Sequence, residues 1–256
     1  MSTLLITGAT SGLGEALTKE AIENGHTVIA CGRNADKLSN LNSLTNVSTL
    51  QFDATNEEET LAALKNVEFD IAVINAGTCE YLDIDDIDPS LFKRVFDINF
   101  FGAINTVAGL APSFTPGMKL VFVDSMARLL PFTKSQAYGA SKAALHYACK
   151  SFEVDLANKG ITVQSISPGF VETPLTEKNE FDMPMAISAQ KAAKYMLKGI
   201  MSDHSSVYFP RRFGIIMRLL NILPESFQSY ICKKMIGEES KGSTNKSKES
   251  NDKDAV

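Results

Sequence analysis

Thr3-Leu-Leu-Ile-Thr-Gly-Ala-Thr-Ser-Gly-Leu-Gly14 is the stretch from which the fold is read. A short β-prone run passes straight into glycines spaced Gly-x3-Gly-x-Gly, and a helix-period segment opens behind them. Strand, tight turn and helix N-terminus in that order make a cradle. Glycine lets the backbone approach a phosphate, and the first N–H groups of the helix point at it. The same turn also occurs as a plain connection with no ligand. Its spacing is not the Gly-x-Gly-x-x-Gly dinucleotide fingerprint.

The pattern repeats outward along the chain. Apolar runs at 3–7, 27–31, 48–52, 71–75, 119–123 and 162–165 alternate with helical periods at about 12–24, 34–43, 56–65, 89–110, 137–158 and 188–201. Strands that are apolar throughout are what a parallel sheet covered on both faces requires. Asp88-Pro89 marks a helix start, with a capping carboxylate and proline at the first helical position. Strict β–α alternation predicts one doubly wound α/β domain of about seven parallel strands, with helices on both faces. The length of 256 residues and 44% apolar content suit it.

Composition removes several classes. With 25 basic and 30 acidic residues the net charge is −5, which argues against a nucleic-acid binder. Cys31, Cys79, Cys149 and Cys232 are far apart, and His26, His146 and His204 form no ligand spacing, so neither a disulfide scaffold nor a metal site is expected. The N-terminus lacks a basic segment followed by a long apolar one, and no apolar run approaches the roughly 18 residues of a membrane span. A cytoplasmic protein is expected.

At the end of the second strand, Gly32 occupies the place where an NAD site usually sets an acid, and Arg33-Asn34 follow. A guanidinium suits a 2′-phosphate, so NADP(H) is favoured over NAD(H). The alternative is a solvated loop cation. Further on, Tyr138 and Lys142 stand four residues apart in a helical period and share one helix face. A neighbouring ammonium favours the phenolate and lowers a tyrosine pKa from about 10 toward the working range. Ser125 ends an apolar strand and suits a substrate carbonyl oxygen. Asn99 follows a helical segment and suits a relay water.

These motifs, in this order, resemble the short-chain dehydrogenase/reductase family in its compact single-domain form. The resemblance spans about residues 3–210 and also rests on Asp53 after the third strand, Asn75-Ala76-Gly77 after the fourth, and Pro168-Gly169. It implies a Rossmann-type fold and NADP(H)-dependent hydride transfer, on the pro-S face, to a ketone or aldehyde, or the reverse oxidation of a secondary alcohol. Tyr138 would be the acid–base group. Lys142 would tune it and bind the nicotinamide ribose, Ser125 would orient substrate, and Asn99 would hold the water. Thr10, Ser11 and Leu13 would meet the phosphates beside Gly8, Gly12 and Gly14. Asp53 and Ala54 would meet the adenine. Pro168, Gly169, Val171 and Thr173 would border the nicotinamide. A homodimer or homotetramer pairing through 89–110 and 137–158 is also implied.

Several segments take blander readings. His146, one turn after Lys142, reads as a packing or interface residue. Asp83-Ile-Asp-Asp-Ile-Asp88 reads as a solvated loop, and Cys149 and Cys232 as inert thiols. Residues 170–187 read as a mobile loop with a short helix, and with Met126-Ala-Arg-Leu-Leu-Pro-Phe132 as an apolar pocket wall, which suggests an apolar or lipid-like small-molecule substrate. Residues 211–237 form an apolar helical extension, and 238–256 a disordered tail. In 213–225, Gly214, Arg218, Asn221 and Glu225 make one narrow polar stripe on an otherwise apolar helix, with Arg211, Arg212, Lys233 and Lys234 around it. It is too short to span a bilayer. A helix buried against the domain or a partner, a lid, and a helix lying on a membrane surface through 211–234 all fit that pattern. Two other functions fit the sequence less well. A non-catalytic NADP-binding sensor is disfavoured by the complete Asn99/Ser125/Tyr138/Lys142 set. A sugar-nucleotide epimerase is disfavoured by the lack of a second substrate domain.

Overall fold

The computed structural model describes residues 1–177 and 183–235. Its strands are β1 (Thr3–Thr7), β2 (Thr27–Gly32), β3 (Val47–Gln51), β4 (Ile71–Ile74), β5 (Lys119–Val123), β6 (Thr162–Pro168), a short pair β7 (Val171–Glu172) and β8 (Ile187–Ser188), and β9 (Ser206–Phe209). The main sheet has seven strands in the order β3-β2-β1-β4-β5-β6-β9, and each of its pairings is parallel. The helices are α1 (Gly12–Glu23), α2 (Ala35–Asn42), α3 (Glu57–Leu64), α4 (Pro89–Phe96), α5 (Gly102–Leu110), α6 (Gln136–Ala157), α7 (Ala189–Ile200) and α8 (Arg211–Ile222), followed by α9 over 225–235. The chain winds one way from β1 to β3, then restarts beside β1 at β4 and winds the other way. That is the expected doubly wound order.

The continuous apolar strands are explained by two cores. Alternate side chains of a strand face opposite sides of the sheet. Leu4 and Ile6 of β1 join Leu17 and Ala21 of α1 and Met196 and Ile200 of α7. Leu5 joins the other core, with Leu64, Leu110, Leu145 and Cys149 from α3, α5 and α6. On β5, Val121 and Val123 go to the first core and Leu120 and Phe122 to the second. Phe122 is fully buried and stacks on Phe152 of α6, with ring centroids 5.9 Å apart.

Three differences from the sequence reading bear on function. The edge strand β9 was not among the six apolar runs, because at four residues it is only half-buried over most of its length. The expected helix 89–110 is broken at Asp97–Phe101 by a π-turn, and Asn99 sits inside it. Such turns displace side chains from the regular helical face and cluster at functional sites. Residues 170–187 are not simply loop, since β7 and β8 pair there. The expected disordered tail 238–256 lies outside the described residues.

Phe122→Ala removes a fully buried ring that joins sheet to helix. It is expected to cost about 3–5 kcal/mol, read as a lowered midpoint in guanidinium denaturation.

Candidate active site

The site forms where β1 and β4 diverge. Thr7 closes β1, and its Oγ1 accepts hydrogen bonds from the backbone N–H groups of Asn75 (3.0 Å) and Ala76 (3.1 Å). The Asn75 amide donates back to the Thr7 carbonyl at 3.0 Å. This clasp brings the β4 loop against the glycine turn so closely that side chains are excluded. A Cβ on Gly14 would lie 2.2 Å from the Gly8 carbonyl oxygen and 2.6 Å from Asn75 Nδ2. Gly8 has φ +67°, and a Cβ there would meet Ala76 Cα at 2.9 Å. The glycines are therefore required by the close approach itself. Behind them α1 begins at Gly12 with its first N–H groups facing the opening, and Ser11 at its N-cap makes no side-chain cap.

A cavity of about 740 Å³ runs from this turn across the carboxyl ends of the strands. Every residue assigned above to the cofactor lines it, as do Ser125, Tyr138 and Lys142. At one end lies Arg33, exposed, with Nη1 3.3 Å from Asp53 Oδ2. Burial pushes the Asp53 carboxyl up, but hydrogen bonds from the Thr55 amide and hydroxyl and the charge of Arg33 outweigh it and hold it below its usual value. Asn34 lines the same end while its side chain caps α2 through the Lys37 N–H at 2.9 Å.

At the other end, β5 presents Ser125 and α6 presents Tyr138 and Lys142 one turn apart. The Ser125 hydroxyl is hydrogen-bonded to the Tyr138 phenol, and its oxygen accepts the Ala127 N–H at 3.1 Å. Lys142 Nζ donates to the Val123 carbonyl at 2.9 Å and lies 6.0 Å from the centroid of the Tyr138 ring. Burial decides both charges. It raises the Tyr138 phenol above its ordinary value, with Cys79 and Asp124 adding to the rise and the Ser125 hydrogen bond opposing it. It lowers Lys142 to about 8, against the pull of Asp124 and Cys79. Loss of water, and not the lysine expected to depress it, thus sets the direction of the phenol's shift in this chain.

Asn99 does not line the cavity. Its Oδ1 accepts the Thr78 N–H at 2.7 Å, and its Nδ2 donates to the Thr78 carbonyl (2.9 Å) and Ser141 Oγ (3.0 Å). The side chain clamps the β4 loop to α6. Gly77 sits between Asn99 and Lys142, where a Cβ would come 3.1 Å from Asn99 Oδ1 and 3.3 Å from Lys142 Nζ.

One participant was missed from sequence. Asp124, next to Ser125 and lining the cavity, has a fully buried side chain. Its Oδ2 meets Arg128 Nε at 3.1 Å and His146 Nδ1 at 2.7 Å, while Oδ1 has no hydrogen-bond partner. Arg128 continues to the Tyr208 hydroxyl at 3.0 Å. His146, read as packing, therefore ties α6 to a buried anion behind the catalytic side chains. Asp124 and Arg128 stand four residues apart in the segment after β5, whereas His146 comes from α6 and Tyr208 from β9, a convergence no local spacing reveals; the sequence cue was an acid immediately before Ser125. Of the expected pocket wall, Ala127 to Phe132 line a second cavity of about 710 Å³ closed by Glu225, Gln228 and Cys232 of α9, rather than the cleft, and Met126 packs beneath α8 with Met217. Asp88 caps α4, Asp83 Oδ1 accepts the Asp85 N–H, and no metal-holding cluster occurs among the described residues. Burial pushes the Cys149 thiol up to about 12.

Comparison with known proteins follows the same lines. Residues 2–183 match the model of the short chain dehydrogenase family. The chain belongs to that family. An uncharacterized oxidoreductase of Myxococcus xanthus is 31% identical over 234 residues, covering 87% of this chain and 92% of the relative. One from Staphylococcus epidermidis is 30% identical over 198 residues, covering 74% and 86%. Among solved structures, a short chain dehydrogenase from Burkholderia cenocepacia in complex with NADP superposes with a TM-score of 0.81 at 23% identity, covering 90% of this chain and 96% of that one. One from Sphingobium yanoikuyae in complex with NADPH gives 0.74 at 22%, covering 88% and 97%. These likenesses show the short-chain dehydrogenase fold.

Lys142→Met removes a cation that the fold holds below its usual 10.5. Between pH about 8 and 10.5 the unfolded chain keeps a proton the folded chain has lost, so this lysine's contribution to stability improves as pH rises and is poorest below 8. The variant is expected to melt no lower than wild type at pH 7, with the difference between them shifting in favour of wild type by pH 10, as read by thermal denaturation across pH.

Proposed function

We propose that the chain is an NADPH-dependent carbonyl reductase. The observation that carries this reading is the convergence of Ser125, Tyr138 and Lys142 at one end of a cleft whose other end is the glycine turn and Arg33. The residues fit a dinucleotide phosphate. The turn would be filled by any Cβ at Gly14, the first N–H groups of α1 face the opening, and the Arg33 guanidinium leans on a single exposed carboxylate contact from which it can turn to a 2′-phosphate. When bound, the cofactor supplies the hydride that reaches the carbonyl carbon.

The chain's own residues supply the rest. Ser125 accepts from Ala127 and so keeps its hydroxyl proton to donate to the substrate oxygen. Burial keeps the Tyr138 phenol protonated at neutral pH, which suits an acid that gives its proton to the oxygen as negative charge develops there. This supports reduction as the favoured direction. Lys142, cationic below about 8, adds positive charge beside the phenol and reaches toward the ribose side of the cleft. Asn99 and Gly77 hold the β4 loop so that Lys142 keeps that place.

An apolar substrate is part of the reading. Val171, Pro174 and Leu175 line the cleft, and Phe170 and Phe213 pack beside it with ring centroids 5.8 Å apart. A panel of ketones and aldehydes tests this; activity confined to small polar carbonyls would defeat it.

Two variants test the cofactor and the acid separately. Arg33→Ala is expected to raise the Kd for NADPH about tenfold or more with little change for NADH, read by nicotinamide fluorescence. Tyr138→Phe is expected to lower kcat about 10²–10⁴-fold with cofactor affinity retained. In the wild type, kcat/KM for reduction is expected to fall as pH rises through about 8, where Lys142 loses its charge. Full biological function of Tyr138→Phe would instead favour a cofactor-binding sensor.

A further inference from the structure

The hairpin of α8 and α9 turns an apolar face outward. Gly214 and Met217 mark its seat. A Cβ on Gly214 would lie 2.7 Å from Tyr208 Cβ, and Met217 is buried against Met126 and Leu130. The opposite arc carries Ile215, Ile216, Leu219 (61% exposed) and Ile222 (78% exposed), and α9 adds Phe227 and Tyr230. Among the described residues nothing covers them. The hairpin is a fixed platform, because Gln228 Nε2 donates to the carbonyls of Asn221 (3.0 Å) and Leu223 (2.8 Å) and so locks α9 to the end of α8.

The charge around this face is as uneven as its polarity. Residues 211–235 carry five basic side chains and one acidic one, in a chain whose net charge is −5. At 100° per residue, Arg211 and Arg212 fall on the same arc as Ile215, Leu219 and Ile222. Lys233 and Lys234 lie exposed on α9. An apolar strip interleaved with cations matches the interface of an anionic bilayer, where acyl chains take the strip and lipid phosphates take the cations.

We propose that the α8–α9 hairpin docks this protein on anionic lipid surfaces. Two other covers fit less well. Residues 238–256 are polar apart from Ala255 and Val256, so the chain's own terminus offers no apolar complement. A second copy meeting this face across a two-fold axis would set its cations against their own kind. The platform also adjoins the cleft, since Phe213 packs at Gly169, whose Cβ would meet the ring at 2.7 Å. Docking therefore places the apolar end of the cleft near the lipid. That consequence alone rests on the reductase reading; the docking itself does not.

The test is co-sedimentation of the full chain with vesicles, without cofactor or substrate. Partitioning onto phosphatidylcholine–phosphatidylglycerol vesicles is expected to exceed that onto phosphatidylcholine alone by more than about tenfold. It is expected to fall steeply toward about 1 M salt, where screening is complete within a few ångströms. The double variant Leu219→Glu/Ile222→Glu alters exposed positions only. It is expected to keep the wild-type melting temperature and NADPH titration while losing the vesicles. Absence of wild-type binding to anionic vesicles, or binding unchanged in a folded double variant, would overturn the proposal. So would a wild-type dimer, measured by light scattering, that the same variant splits while neither form binds lipid. Loss of turnover on a carbonyl panel would sink the reductase reading and leave the sedimentation result standing.

Discussion

The contact between the ends of β1 and β4 is what the site is built on. Neighbouring parallel strands whose connections leave in opposite directions open a crevice at their carboxyl ends. Here the crevice is drawn tight by Thr7, which holds the Asn75 and Ala76 N–H groups, and by glycines that admit backbone where a methyl would collide. The turn that faces the phosphates and the loop that carries Gly77 and Thr78 are consequently one rigid piece. Asn99, moved by its π-turn, binds that piece to α6 through Ser141. The glycine cradle and the catalytic helix are thus connected by a short, fully hydrogen-bonded path.

Charge at the catalytic end is governed by how little water reaches it. Lys142 is buried, and its ammonium keeps one carbonyl partner and the nearby Asp124 carboxylate. Asp124 is itself buried and is offset by the Arg128 guanidinium, while the His146 ring is hydrogen-bonded to the same oxygen. Removing Arg128 would leave the buried Asp124 carboxylate without its guanidinium, which is why buried ion pairs are costly to break even where they add little net stability. Burial also keeps the phenol protonated, the form that can give a proton to a forming alkoxide in the reading we favour.

Local pattern made most of the fold and the cleft legible. The inner strands β1, β4 and β5 are largely apolar at successive positions because both their faces are covered, and helix periods fall between, so a parallel α/β sheet is legible from the chain; β6 departs from the pattern, with Gln164, Ser165 and Ser167 buried. The glycine turn, Arg33, Ser125 and Tyr138–Lys142 are legible for a related reason: each is a short-range motif attached to the end of one element. Asn99 was legible as a position, yet its clamping of Thr78 depends on a π-turn that has no periodic signature. The Asp124–Arg128–His146–Tyr208 set was hidden because three elements distant in sequence contribute to it.

The C-terminal hairpin separates the two kinds of information most clearly. Sequence alone determined that the segment from about 213 is helical, mostly apolar, too short to cross a bilayer and surrounded by cations, but its single helix 213–225 is in fact broken at Leu223-Pro224, so that α8 ends at Ile222 and Glu225 of the expected polar stripe opens α9. Sequence left undecided which side of the helix faces the domain. Tertiary packing decided that, and it used the smallest residue: Gly214 lies in the stripe that reads as polar, and the helix seats there because Tyr208 can come closest where no side chain intervenes. The large apolar residues are left outside. Hydrophobicity along a chain records which residues gain from leaving water, whereas the face a helix buries is set by the fit of two surfaces, which only the assembled fold contains.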